Sequence, residues 1–170
     1  MSGHGVGEPA RSELARQRAA IAERHLRPRA ERPAPSARGV HHVALISSDV
    51  ERTVEFYDGL LGFPLIEMFE NRDYEGSTHF FFDIGHGNTL AFFDLPGVPV
   101  TPYAEVLGGH HHLAISMERS EWEAARRRLD DAGVAYAHVD GSSLYFRGPD
   151  GERIELISDP LREMYGSPVG

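Results

Sequence analysis

Apolar and polar positions alternate in two short segments that echo one another 70 residues apart. Gly39-Val-His-His-Val-Ala-Leu-Ile is matched by Gly109-His-His-His-Leu-Ala-Ile-Ser. A period of two predicts a strand with two unlike faces. In the first segment Val43 and Leu45 share one face, while His42, Ala44 and Ile46 share the other. In the second, Leu113 and Ile115 take the aliphatic role, and His112, Ala114 and Ser116 take the other. The period then lengthens to that of a helix. Val50, Val54, Tyr57 and Leu61 form one stripe and Trp122, Ala125, Leu129 and Ala132 another, both read as core-packing faces. Ser48 with Glu51, and Ser120 with Glu123, read as capping boxes; Gly62 and Gly133 close the helices.

Strand-like runs follow each helix: 64–69, 78–84 and 89–94 in the first copy, 135–139, 143–147 and 153–158 in the second. Gly85-His-Gly-Asn and Gly148-Pro-Asp-Gly supply the last turn of each. The chain therefore reads as an α+β fold of two βαβββ modules, residues 39–94 and 109–160, joined by the linker 95–108 and followed by a tail, 161–170. Two such modules side by side are expected to curve as a mixed sheet into a cup around a site, with the helices outside. Residues 1–38 are expected to be a flexible Arg/Pro-rich arm, with one helix over 12–26 that has too few bulky apolar groups to fold alone.

Composition narrows the chemistry. The chain has no Cys, which excludes disulfides, thiolate metal sites and cysteine nucleophiles. Eight arginines against four glutamates leave residues 1–39 at +4, and the rest at −13 for a whole-chain charge of −9. That balance argues against a nucleic-acid partner. The sequence has no apolar run of membrane-spanning length and no apolar leader at its start. A cytoplasmic location is expected. Arg126, Arg127 and Arg128 read as a solvated helix face among acidic neighbours.

His42-Val-Ala-Leu-Ile-Ser-Ser-Asp with Phe56-Tyr57 and Leu61-Gly62-Phe63, then His112-Leu-Ala-Ile, then Gly148-Pro-Asp-Gly-Glu-Arg-Ile-Glu155-Leu, resemble the vicinal oxygen chelate superfamily. That group includes glyoxalase I, fosfomycin-resistance proteins, bleomycin-binding proteins and extradiol ring-cleaving dioxygenases. The resemblance covers residues 39 to about 160 and implies metal ligands at His42, His112 and Glu155. Strand parity agrees, since Ile154 and Leu156 belong under a helix and Glu155 on the other face. Two imidazoles and a carboxylate suit a divalent ion, Fe(II) foremost, with Mn(II), Ni(II) or Zn(II) also compatible.

The fourth position separates the reactions. Glyoxalase I carries a further Glu or Gln on the last strand of its first module, where this chain has Ala91. Three ligands with open positions match the facial triad of non-haem iron oxygenases. Extradiol dioxygenases place a Tyr ten residues before the ligand Glu, and Tyr145 stands there. They also use a His where this chain has Gly87; His86 and His79 lie near as candidate substitutes, and Phe81 as a candidate wall of the substrate site. Fosfomycin-resistance proteins share the three ligands and the Tyr, but carry a Thr at the Ala44 position and a Lys at the Ala135 position. The expected function is thus an extradiol-like dioxygenase acting on a small aromatic diol, as a homodimer. The alternatives are a metal-dependent thiol transferase or isomerase, or a metal-free drug-binding protein.

Overall fold

A computed structural model describes residues 7–99 and 101–169. The period-2 runs fold as β1 (His42–Ser47), β2 (Leu65–Glu70), β3 (Thr78–Asp83) and β4 (Thr89–Asp94) in the first module. The second contributes β5 (Leu113–Ser116), β6 (Tyr136–Val139), β7 (Ser143–Arg147) and β8 (Arg153–Ile157). Each module forms its own four-stranded sheet, in the orders β1-β4-β3-β2 and β5-β8-β7-β6. The first strand of each module pairs parallel with the last, and the other pairings are antiparallel. The βαβββ repeat is therefore realised strand for strand.

Registers make the internal symmetry concrete. Ala44 pairs with Ala91 as Ala114 pairs with Glu155, and Phe81 pairs with Ala91 as Tyr145 pairs with Glu155. Ala91 thus holds in the first sheet the place that Glu155 holds in the second. By the same registers Phe81 answers to Tyr145. His79 answers to Ser143, since His79 pairs with Phe93 and Ser143 with Ile157.

Helix α2 (Val50–Val54) widens into a π-helical turn over Glu55–Leu60, and α3 spans Arg119–Asp131. Both starts differ from the expected capping boxes. Asp49 caps α2, accepting from the Arg52 amide at 3.0 Å, because Ser48 is drawn to the other module, where its amide and hydroxyl donate to Asp150. Helix α3 begins at Arg119 without a side-chain cap; the Glu123 carboxylate is instead paired with Arg119 at 2.9 Å.

The two sheets share one core. Tyr57 lies against Phe82 and Phe92 of its own sheet while its neighbour Phe56 lies against Phe146 of the other. Trp122, fully buried on α3, donates to the Leu156 carbonyl at 2.9 Å. Arg128 donates to the Leu60 and Leu61 carbonyls, binding α3 to the end of the π turn. The first helix therefore packs against both sheets, on the face opposite the one that carries His42 and Glu155. The reason is area. Aromatic side chains on both helix-facing sheet surfaces bury more apolar surface against one shared layer than against two separate ones. The opposite face of each sheet carries the candidate polar residues, His42 on the first and His112, Tyr145 and Glu155 on the second.

A seam of polar contacts fixes the modules. Tyr57 donates to Glu152 at 2.7 Å, and Asp150 accepts from Arg52 at 2.9 Å. Burial raises the pKa of both Tyr57 and Glu152, and the hydrogen bond from Tyr57 opposes that rise in Glu152. Gly148 is required here, because a Cβ at that position would lie 2.0 Å from the Glu152 carboxylate.

Residues through Arg38 form one unit and Gly39–Val169 another. Helix α1 (Glu8–His25) starts with Pro9 in its first turn, four residues before the expected Ser12, and buries no residue. Among the described residues no helix is long and apolar enough to cross a membrane.

Candidate metal centre

Parity sends His112, Tyr145 and Glu155 to the outer face of the second sheet, as read from the sequence. Their neighbours Leu113, Leu144, Phe146, Ile154 and Leu156 pack into the core. His112 Nε2 lies 3.0 Å from Glu155 Oε2, and the carboxylate is fully buried while the imidazole is 27% exposed. The other oxygen, Oε1, accepts from Ser143 Oγ at 2.6 Å. Despite its closeness to His112, Oε2 has no aligned hydrogen-bond donor. Two ligand atoms in contact but not aimed at each other are what convergence on a third atom requires. An unpartnered buried carboxylate oxygen is otherwise costly, of the order of 1–3 kcal/mol or more for a charged group. The donor set fits a divalent ion on this observation.

The preceding histidine holds each candidate imidazole. His111 Nδ1 lies 2.6 Å from His112 Nδ1, and His41 Nδ1 lies 3.0 Å from His42 Nδ1. Each contact engages Nδ1 and leaves Nε2 for a ligand, the outer-layer orientation that metal-binding imidazoles need. In the second module Arg153 extends the chain, with Nη1 at 3.0 Å from His111 Nε2. In the sequence these neighbours read as groups beside the ligands, either supporting them or at the surface. Their signal was the doubled histidine at the same place in both repeats.

Tyr145 borders this pair. Its ring meets His112 edge-on at 5.5 Å between centroids, and Arg153 lies 5.0 Å from its centre. Burial first, then the hydrogen bond with Tyr165 and the nearby Glu155 charge, raises the phenol's pKa. It is a proton donor at neutral pH.

His42 stands on the outer face of the first sheet with Phe81, at 6.2 Å between ring centroids. Among the described residues no three His, Asp or Glu side chains gather closely enough to hold an ion. The chain thus brings His112, Glu155 and Tyr145 together, and His42 separately joins Phe81, Ala91 and His79. His79 stacks on Phe93 at 3.8 Å and tilts against Phe81 at 4.3 Å. Its Nε2 is buried without a partner. Symmetry explains the orphan: Ser143, its counterpart, bonds Glu155, but Ala91 offers His79 nothing. Burial, with the nearby His42 and Arg72, lowers its pKa, so it is neutral at pH 7. His86 sits apart, exposed in the β3–β4 turn at a φ of 52°.

One contributor was not foreseen from the sequence. Tyr165, in the tail, places its hydroxyl 3.2 Å from that of Tyr145. Nothing in the ten-residue tail marked it; only the turn signal Tyr165-Gly166 was available.

Comparison with known proteins agrees with this architecture. A crystal structure of a glyoxylase/bleomycin resistance protein/dioxygenase domain from Frankia sp. EAN1pec, 22% identical, superposes with a TM-score of 0.62 over 72% of this chain and 98% of that one. A metallothiol transferase FosB of Shouchella clausii is 29% identical over 74% of this chain and 83% of its own length. A catechol-2,3-dioxygenase of Bacillus subtilis is 27% identical over 74% of this chain but only 43% of its own, so the chain spans less than half of that relative. The profile of the Glyoxalase/Bleomycin resistance protein/Dioxygenase superfamily matches residues 39–156, from the first histidine strand through Glu155. With its two βαβββ modules and this match over most of its length, the chain belongs to that superfamily.

Proposed function

We propose that the protein is a metal-dependent oxygenase that cleaves a small aromatic diol, with a centre built from His112 and Glu155 of one copy and His42 of a second. The observation that carries this reading is the buried His112–Glu155 pair at 3.0 Å with Oε2 unpartnered, beside the Tyr145 phenol. The second copy follows from His42. It lies on the other sheet, whose outer face also leaves Ile46 58% and Phe69 43% exposed. A two-fold related copy would lay that face on the half-site of its partner, making two equal centres at once.

A divalent ion there supplies a Lewis acid with open positions, because Ala91 withholds a fourth ligand. The remaining roles belong to side chains. Tyr145 donates a hydrogen bond to a substrate oxygen and stabilises charge developing on it. His79, neutral and unpartnered, takes a proton from the second hydroxyl. Phe81, Phe93 and Phe69 offer flat surfaces to a planar ring. The relative named catechol-2,3-dioxygenase supports this chemistry.

A second relative supports a second reading. The metallothiol transferase FosB relative is matched over 83% of its length, so a two-module metal-dependent thiol transfer is the alternative.

Oxygen uptake by Fe(II)-loaded protein against a panel of catechols decides between them. Tyr145→Phe is expected to lower turnover by roughly ten- to a thousandfold with metal content unchanged. No uptake by wild type, together with metal-dependent thiol transfer to an epoxide, would move the assignment to the alternative.

Mixing tests the shared centre. His42→Ala and Glu155→Ala chains are each expected to be inactive alone. Unfolded and refolded together, they should recover about one quarter of wild-type sites, since half of random dimers carry one intact centre of two. A centre inside one chain would recover none.

A further inference from the structure

We infer that Tyr165 is a positioning residue for Tyr145, held over the second module's half-site by a C-terminal hairpin. The inference rests on the donor role just proposed for Tyr145. Strands β9 (Glu163–Met164) and β10 (Ser167–Pro168) pair antiparallel around a two-residue turn, Tyr165-Gly166. Both turn residues have positive φ, 51° and 73°, the geometry of a tight I′ hairpin. Glycine adopts that conformation freely, but a tyrosine resists it. Such strain persists only where surrounding contacts hold it.

Those contacts are present. The Tyr165 amide donates to the Asp159 carboxylate, and the Asp159 carbonyl accepts from Ser116 Oγ at 2.7 Å at the end of β5. The Val169 amide closes the base onto the Arg162 carbonyl at 2.7 Å. The hairpin is thus pinned to the strand that follows His112. Its tyrosine does not serve the core, since the residue is 41% exposed. What the side chain reaches is the Tyr145 hydroxyl, at 3.2 Å.

A phenol that gives its proton to a substrate oxygen has lone pairs left to accept with. Tyr165 fills that acceptor position, so the order Tyr165 to Tyr145 to substrate oxygen leaves the Tyr145 proton directed at the substrate. Each bond in such a chain polarises the next. The same contact stops the Tyr145 ring from turning away when the site is empty.

The test uses full-length protein labelled with 3-fluorotyrosine, whose six tyrosines give few fluorine resonances. The Tyr145 signal is identified by its loss in Tyr145→Phe. Tyr165→Phe keeps the ring and the hairpin but removes the hydroxyl. It is expected to shift the Tyr145 resonance and leave metal content unchanged. It should also lower kcat about two- to tenfold, the size of one lost hydrogen bond, with KM little altered. Gly166→Val retains the phenol but opens the turn, and should produce the same shift. An unmoved Tyr145 resonance in Tyr165→Phe overturns the inference. If wild type turns over no catechol, the oxygenase reading fails, and the fluorine spectra still decide the role of Tyr165.

Discussion

Glu155→Ala is expected to abolish metal binding, from about one divalent ion per centre to none. The carboxylate is one of only two candidate ligands that a single chain brings together, and the second is the His112 imidazole at 3.0 Å. Without it a centre retains two imidazoles from different sheets, too few donors to hold an ion against water and buffer. Glu155→Gln isolates the charge. It preserves an acceptor for Ser143, now at 2.6 Å from Oε1, but removes the anion that neutralises the metal. Metal analysis after dialysis reads the loss directly. Thermal unfolding gives a second readout, because a ligand bound only by the native state stabilises it by about 2.7 kcal/mol at a hundredfold excess over its Kd. Wild type should therefore gain melting temperature on metal addition, and Glu155→Ala should not. Full occupancy in Glu155→Ala would sink the ligand assignment.

Strand parity made most of this legible in advance. Six of the eight module strands lie within one residue of their predicted runs, and β1 and β5 start three and four residues into theirs, because alternation of buried and free positions is a local property that sheet packing preserves. The offset of 64 between Gly87 and Gly151, the glycines before the last strand of each module, set Ala91 against Glu155 before any coordinates. Parity could not say where the helices go. That depends on whether Phe56 prefers solvent or Phe146, a contact between residues 90 apart in sequence. The caps were misplaced for a related reason: Ser48 is a good local cap, but Asp150 from the other module competes for it. The same blindness to long-range contacts hid Tyr165, whose hydroxyl touches a residue 20 positions earlier.

Ala91→Glu is expected to keep the metal and eliminate oxygen uptake. The two sheets are built to one pattern, and in the second a serine hydroxyl at the Ser143 position steadies the carboxylate that binds. In the first, His79 occupies the matching place with Nε2 buried and free. A glutamate at 91 would find the His79 ring already in position, and with the imidazole proton on Nε2 it would be bonded as Glu155 is by Ser143. It would also project from the outer face of the sheet that carries His42. The new carboxylate would then supply a fourth protein ligand and fill a position that the substrate or dioxygen needs. Ala91 is itself fully buried, so the larger side chain must displace Phe81 or His79, with overpacking costs of about 1–3 kcal/mol. Ala91→Leu controls for that cost, since it brings similar bulk without a ligand. The expected pattern is retained metal in both variants, with tighter metal retention against a chelator only in Ala91→Glu. Oxygen uptake should vanish in Ala91→Glu and survive at a reduced level in Ala91→Leu. Equal chelator resistance in the two variants would show that position 91 does not face the centre, and with it that the two half-sites do not meet as proposed.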